Sequence, residues 1–225
     1  MAASIAVRIS YGSAQAGPGA PDVALAEGTP LRLSHGPYPF AEPPDLIGNA
    51  TIEARLALLR DHLATQCGPW DKPARSFLDA YFAHIAAAIA DNSKAIAALS
   101  ARSGGLFAPA DWSFSALRPL PQAHVRPDGG ASVRADVAFW TGARIVAIEL
   151  LGSASPRRQR QDELARLASA GVAIVRLPAA ELLRDGAPFL ARVLPMEFQR
   201  FWDGVILPAS PFGADALGES LDCLH

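Results

Sequence analysis

The sequence is poor in cysteine and in known catalytic signatures, and each shortage excludes a class of protein. The 225 residues include two cysteines, Cys67 and Cys223. They lie far apart and lack metal-ligand spacing, which excludes a cysteine-based zinc site and favours a reducing compartment. The chain also has no glycine-rich phosphate loop, no GxSxG and no HExxH sequence, so the enzyme families that carry those motifs are not indicated.

Charged residues are also few, and positive and negative charges nearly balance. Charged residues make up 19% of the chain, and the formal net charge is -2. Because the chain has no bulk positive charge, any binding of nucleic acid must use a local basic patch. Half of the residues are hydrophobic, which is enough apolar material for a core and argues against global disorder.

No apolar run has the length of a transmembrane helix. The longest segment rich in Ala and Ile, residues 84–100, is interrupted by Asp91, Asn92 and Lys94. The first residues, MAASIAVRISYG, have no basic region, and Arg8 breaks their apolar run, so they are not typical of a signal peptide. We therefore expect a soluble, cytoplasmic protein that does not enter a membrane.

The chain divides into an irregular first part and a patterned remainder. Residues 1–50 are rich in Gly and Pro and are predicted to cover an edge or a face of the core, with short strands in SIAVRISYG and TPLRLSH. Residues 51–225 are predicted to form a single α/β domain. It begins with a helix capped by Thr51, followed by a helix with Pro73 in its first turn and a break near Asp91.

From residue 111 the pattern changes from helical to mixed and then to strand-like. PQAHV and the alternating residues 133–140 predict two strands, and RIVAIELLG predicts a third that is covered on both faces. SPRRQRQDELARLASAG predicts a helix with Ser155 as its cap and Pro156 at its first position. VAIVRLP then predicts a strand parallel to RIVAIEL, so we expect a mixed sheet flanked by helices.

Two carboxylates fall on adjacent predicted strands. Burying Glu149 as an unpaired ion would cost several kcal/mol, so it must be solvated at the strand end, paired, protonated or bound to a metal. Asp136 could be half of a surface ion pair with Arg134. If instead it meets Glu149, the two form an oxygen-rich site that suits Mg²⁺ or Mn²⁺. Such a metal activates water for phosphodiester hydrolysis.

A family resemblance appears in VRADVAFWTGARIVAIELLGS followed by RRQRQDELARLASAGVAIVRLPAAEL. This run resembles the PD-(D/E)XK, or restriction-endonuclease-like, superfamily, and within it the small branch related to very-short-patch-repair endonucleases. The matching positions are an acid on the hairpin, an acid ending the next strand, a D…R pair on the helix, and a G-V-x-(I/V)-x-R strand: Asp136, Glu149, Asp162 with Arg166, and residues 171–176. The resemblance covers about residues 72–185. It implies a restriction-endonuclease-like core with a central mixed sheet flanked by helices.

The resemblance also implies an activity, that of a metal-dependent DNA endonuclease that hydrolyses phosphodiester bonds. Asp136 and Glu149 would hold Mg²⁺ or Mn²⁺, and Asp79 on the preceding helix would assist. Gln122 could face the same site. Basic residues at the start of the next helix oppose its dipole, which suggests a phosphate partner: Arg157, Arg158 and Arg160. The alternative for these residues is an ordinary polar helix position for Asp79 and a solvated charged face for the arginines.

One departure from the family pattern bears on catalysis. The superfamily motif ends in E-x-K, and this chain has Leu151 at the lysine position. Leucine can neither orient a water molecule nor neutralise charge in a transition state. The alternative hypothesis is therefore a catalytically inactive member of the same fold, acting as a nucleic-acid-binding or protein-interaction subunit in a homodimer or larger assembly. The third hypothesis is a generic α/β scaffold without a functional site, in which the resemblance is accidental.

Overall fold

A computed structural model describes most of the chain, namely residues 7–12, 23, 25–33, 52–68, 71–102, 104–105, 107–127, 130–152 and 157–202, without the side chains of residues 52, 55 and 157–159. The predicted caps Thr51 and Ser155, and Pro156, lie outside the described residues.

The first half of the domain is helical. Helix α1 is Ile52–Thr65, α2 is Lys72–Asp91 and α3 is Ser93–Arg102. Asp71 caps α2, because its side chain accepts a hydrogen bond of 3.1 Å from the backbone N–H of Ala74. The boundary between α2 and α3 falls at Asn92, which confirms the predicted break near Asp91.

The second half supplies most of the sheet and two helices. The strands are β1 (Val7–Ser10), β2 (Leu120–Pro127), β3 (Val133–Trp140), β4 (Ile145–Leu151) and β5 (Ala173–Pro178). Helix α4 (Arg157–Ser169) connects β4 to β5, and α5 (Ala179–Val193) follows β5. Short 3₁₀ helices lie at Pro109–Ser115 and Met196–Phe198.

The five strands form one mixed sheet in the spatial order β1-β2-β3-β4-β5. The first three pairings are antiparallel, and β4 pairs with β5 in parallel. A parallel pair needs a long crossover, which α4 supplies. The prediction of a mixed α/β sheet flanked by helices is therefore confirmed, including the parallel pairing of RIVAIEL with VAIVRLP.

Alternation along the strands gives the sheet two different faces. Val137, Phe139 and Ile148 point towards α2 and α5, in a core that also contains Tyr81. The Tyr81 ring lies 5.3 Å from that of Phe139, in an edge-to-face arrangement. The opposite face carries a second buried cluster, made in part by residues of β3, β4 and α4: Ala138, Trp140, Ile145, Ala147, Leu164 and Leu167.

The N-terminal segment contributes to the sheet directly. The strand predicted in SIAVRISYG is β1, which lies at the edge of the sheet against β2. The strand predicted in TPLRLSH is reduced to isolated bridges, such as that of Arg32 with Leu117. This segment is held by the indole N–H of Trp140, which donates to the carbonyl oxygens of Ala26 and Thr29 at 3.1 and 2.9 Å.

Candidate functional site

The two carboxylates singled out in the sequence lie next to each other. Val137 of β3 is paired with Ile148 of β4, so one step further along the antiparallel ladder Asp136 lies opposite Glu149. Directly opposite residues project from the same face, with Cβ atoms about 5 Å apart. That face is the one covered by α4. Both residues are almost fully buried, at 5% and 6% exposure, so neither is a solvated strand-end residue.

Asp136 is fixed by the backbone of the neighbouring strand. The N–H of Leu150 donates to Asp136 Oδ2 at 2.8 Å, so the carboxylate accepts a hydrogen bond just beyond the end of the β3–β4 ladder. Its other oxygen, Oδ1, lies 3.6 Å from the guanidinium of Arg134. One oxygen of this acid is therefore used for structure, and the second faces a half-exposed arginine.

Glu149 has a cationic partner on α4. The Nε of Arg160 donates to Glu149 Oε1 at 2.9 Å, and Nη2 lies 2.6 Å from Oε2. The second contact is close but not aligned as a hydrogen bond, so the pair is a two-point ion pair with one good hydrogen bond. Arg160 also donates to the carbonyl oxygen of Arg134 and contacts Glu163 at 3.4 Å. Of the four states expected for Glu149, the structure shows the paired one.

The electrostatics of this cluster follow from burial and mutual charge. Burial raises the pKa of Asp136 and the nearby Glu149 carboxylate adds to the rise, against the Leu150 N–H and the charges of Arg160 and Arg134, which lower it. Burial alone would lower the pKa of Arg160, but the hydrogen bond and charge of Glu149 and the charge of Asp136 raise it overall. The arginine therefore stays charged and balances one of the two acids.

The structure places the other predicted site residues differently. Asp79 is two-thirds exposed and lies 3.6 Å from Arg60, as part of the surface shared by α1 and α2. Helix α2 packs on the face of the sheet opposite to the two carboxylates, so Asp79 is not brought to them. Arg157 and Arg158 begin α4, but their side chains lie outside the described residues. Arg160, predicted to contact phosphate, is instead held by Glu149.

Gln122 also has a different partner from the expected one. It lies opposite Asp136 in the β2–β3 register, but its backbone has a φ of 52°, which is unusual for a residue with a side chain. Its side-chain amide donates to Asp71, the cap of α2. The expectation that Gln122 faces the carboxylates is therefore wrong, because the irregular backbone directs its amide to the helix terminus.

Leu151 lies where the nuclease motif has lysine, two residues beyond Glu149 on the same face. Its side chain is 45% exposed. Continuing the β3–β4 register places Arg134 on the neighbouring strand beside it. A cation is thus present near the lysine position, although arginine stays protonated and is a poor base.

Sequence reasoning missed one contact of this site. It treated Arg160 as a phosphate contact, whereas the structure pairs it with Glu149; the reach of a side chain from α4 to β4 depends on how the helix packs. Arg176, which ends the G-V-x-(I/V)-x-R pattern, has its Cα in register with that of Glu149 on the parallel strand β5, and its side chain is exposed.

A separate cleft of about 670 Å³ lies between α2, α3, α5 and the segment that follows α5. Its walls include His84, Asp91, Arg200 and Trp202. The imidazole of His84 is buried, and burial lowers its pKa. Neither Asp136 nor Glu149 lines this cleft, so it is not part of the carboxylate cluster.

Comparison with known proteins adds no assignment: no protein-family model, curated protein or solved structure matches the chain. Within the described residues, no three His, Cys, Asp or Glu side chains are grouped so that they could hold a metal ion. The helices of the described part are also too short or too polar to cross a bilayer. The carboxylate cluster therefore has to be interpreted from its own geometry.

Proposed function

We propose that the protein is a non-hydrolytic member of the restriction-endonuclease-like fold, and that it acts as a nucleic-acid-binding or protein-interaction subunit. The observation that carries the proposal is the ion pair of Arg160 with Glu149. It gives the acid at the family's catalytic position a partner from within the chain. The second acid, Asp136, supports the β3–β4 hairpin through Leu150.

The donor set around the two acids does not fit Mg²⁺ or Mn²⁺. Mg²⁺ takes six oxygen ligands in octahedral geometry, usually one or two free carboxylates together with several waters. Here Glu149 faces a guanidinium with both oxygens, and Asp136 has committed one of its two. The guanidinium of Arg160 also lies where a cation would have to approach Glu149. A metal would first have to displace an arginine from a nearly dry ion pair.

The residue at the lysine position also supports a non-hydrolytic protein. Leu151 offers no hydrogen bond to a water molecule, and Arg134 beside it keeps its proton at physiological pH. An acid pair with an internal counterion and no lysine beside it is what we expect of a site that serves the fold and a binding partner. Hydrolysis would need a free group to activate water; Leu151 cannot do this, and the Glu149 carboxylate is held by Arg160.

The test combines metal binding with a cleavage assay. Calorimetric titration with Mn²⁺, and incubation with single- and double-stranded DNA in Mg²⁺ or Mn²⁺, are expected to show neither binding at the acids nor cleavage above background. Glu149→Gln is compared with Glu197→Gln, whose acid is exposed and pairs with Arg144 at 3.0 Å. Cleavage by the wild type that is lost in Glu149→Gln and kept in Glu197→Gln would refute the proposal.

That refuting result would establish the second candidate, a metal-dependent DNA endonuclease using Asp136 and Glu149 with Mg²⁺ or Mn²⁺. One observation favours it: the two acids are buried side by side on adjacent strands, where their repulsion contributes to the raised pKa of Asp136. Closely spaced buried acids are enriched at functional sites. In this candidate Arg160 releases Glu149 when the substrate arrives, so Arg160→Gln is expected to alter metal affinity.

A further inference from the structure

Basic side chains follow one another across the first three strands, and the last of them approaches Asp136 of the acid pair. Arg8 of β1 is directly opposite Arg126 of β2, and His124 of β2 is directly opposite Arg134 of β3. Opposite residues on antiparallel strands share a face, as do residues two apart on one strand. Arg8, Arg126 and Arg134, with His124 among them, therefore form one group, which we call the arginine row.

The arginine row is accessible and its charges act together. Arg8 and Arg126 are exposed, and the side chain of Arg134 is 50% exposed. The pKa of His124 is lowered, first by burial and then by the positive charges of Arg134 and Arg126. The positive charges of Arg126 and Arg134 therefore both act on the same side chain, that of His124.

The negative charge around the row is already largely engaged. In the described part of the chain, Arg126 forms no ion pair. Among the described residues, Arg134 approaches Asp136 at 3.6 Å, and that acid also interacts with Arg160. Arg160 therefore balances one of the two carboxylates that border the row, and Asp136 offsets part of the charge of Arg134, while Arg126 keeps its charge.

The arginine row destabilises the sheet but offers a binding surface for an anionic ligand. Like charges directly opposite on a sheet destabilise it, and Arg8 faces Arg126 in this way. Neighbouring strands lie about 4.8 Å apart, so three strands spread the row over roughly 10 Å. The row is therefore long enough to meet more than one phosphate of a nucleic-acid backbone, and arginine can bind each phosphate with two hydrogen bonds.

We propose that the arginine row binds the phosphate backbone of nucleic acid without regard to base sequence. The inference rests on the proposed function, because it selects nucleic acid over a protein partner and assigns the contact surface. Backbone contacts carry no sequence information of their own. The acid pair lies at the border of this surface, where it is held by Arg160.

Binding is measured by fluorescence anisotropy with short labelled single-stranded and duplex DNA over a series of salt concentrations. Replacement of one phosphate-binding arginine is expected to weaken binding about tenfold and to reduce the slope of log K against log salt by about 0.9 for duplex DNA. The variants are Arg126→Glu and Arg134→Glu. The control is Arg184→Glu, whose side chain is 70% exposed and lies on α5, a helix that packs against α2 and β5.

Supporting results are weaker binding in Arg126→Glu and Arg134→Glu, unchanged binding in Arg184→Glu, and partial recovery in Arg126→Lys. Equal affinity of all variants overturns the inference, as does a wild type that binds anionic phospholipid vesicles but not DNA. Cleavage of DNA that depends on Glu149 would refute the non-hydrolytic proposal while leaving the row intact. If the arginine variants bind DNA as the wild type does and the protein does not cleave DNA, the inference about the arginine row is refuted and the non-hydrolytic proposal stands. Circular dichroism of each variant establishes that it is folded.

Discussion

Replacing Arg160 with methionine is the sharpest test of the carboxylate cluster. Methionine keeps the length and much of the apolar stem of arginine but removes the charge. The side chains of Arg160 and Glu149 are only 13% and 8% exposed, so the change leaves a carboxylate buried without its counterion. Removal of one partner from a buried ion pair typically costs about 3–5 kcal/mol. A single domain has only about 5–15 kcal/mol of stability in total.

Urea denaturation at neutral pH measures this loss. With a slope of about 2 kcal/mol per M of urea, a loss of 3–5 kcal/mol moves the midpoint down by roughly 1.5–2.5 M. The matched control is Arg144→Met. Arg144 pairs with Glu197 at 3.0 Å, but the two side chains are 50% and 37% exposed. Exposed pairs contribute about 0–1 kcal/mol, so the control should shift the midpoint little.

The double variant Arg160→Met with Glu149→Met separates the ion pair from packing. Replacing both members of a buried pair with apolar groups of similar volume is often neutral, so the double variant should be more stable than Arg160→Met alone. If Arg160→Met costs no more than Arg144→Met, or if the two changes simply add, then the pair does not neutralise Glu149 and the reasoning behind the site is wrong.

Two further predictions concern neighbouring groups. Because burial raises the pKa of Asp136, its contribution to stability is fully present below the ordinary aspartate pKa and is lost as pH rises through the raised value. Asp136→Asn removes this loss, so the variant's unfolding free energy relative to wild type should rise from acidic to neutral pH; a flat or falling difference in urea titrations would contradict it. The buried hydroxyl of Tyr81 donates to the carbonyl oxygen of Leu117 at 2.8 Å, so Tyr81→Phe should cost about 1–3 kcal/mol, and a cost near zero would show that this hydrogen bond is replaced.

The order of strands and helices was predictable from sequence because each signal is local. The alternation in residues 133–140 places Asp136 and Ala138 on one face and Val137 and Phe139 on the other, as observed. The break near Asp91 was also predicted, because polar residues interrupt the apolar pattern there. Local patterns of this kind are kept in the folded protein, because the packing of the core stabilises the same arrangement that they favour.

Other features depend on contacts between distant residues and could not be predicted. The pairing of Arg160 with Glu149 requires the packing angle of α4, which no pattern within the helix specifies. The amide of Gln122 reaches Asp71 because the backbone at Gln122 takes a positive φ, and nothing in PQAHV signals it. The like-charge pairing of Arg8 with Arg126 appears only when the register of β1 on β2 is known.

The position of β1 has a consequence for how the chain folds during synthesis. Residues Val7–Ser10 are synthesised before their pairing partner β2, which begins at Leu120, about 110 residues later. At about 5–20 residues per second, the first strand waits for roughly 6–22 s. During that interval it is an unpaired strand, of the kind that chaperones bind and that other chains can capture. We therefore expect β1 to be the strand of this sheet that waits longest for its partner.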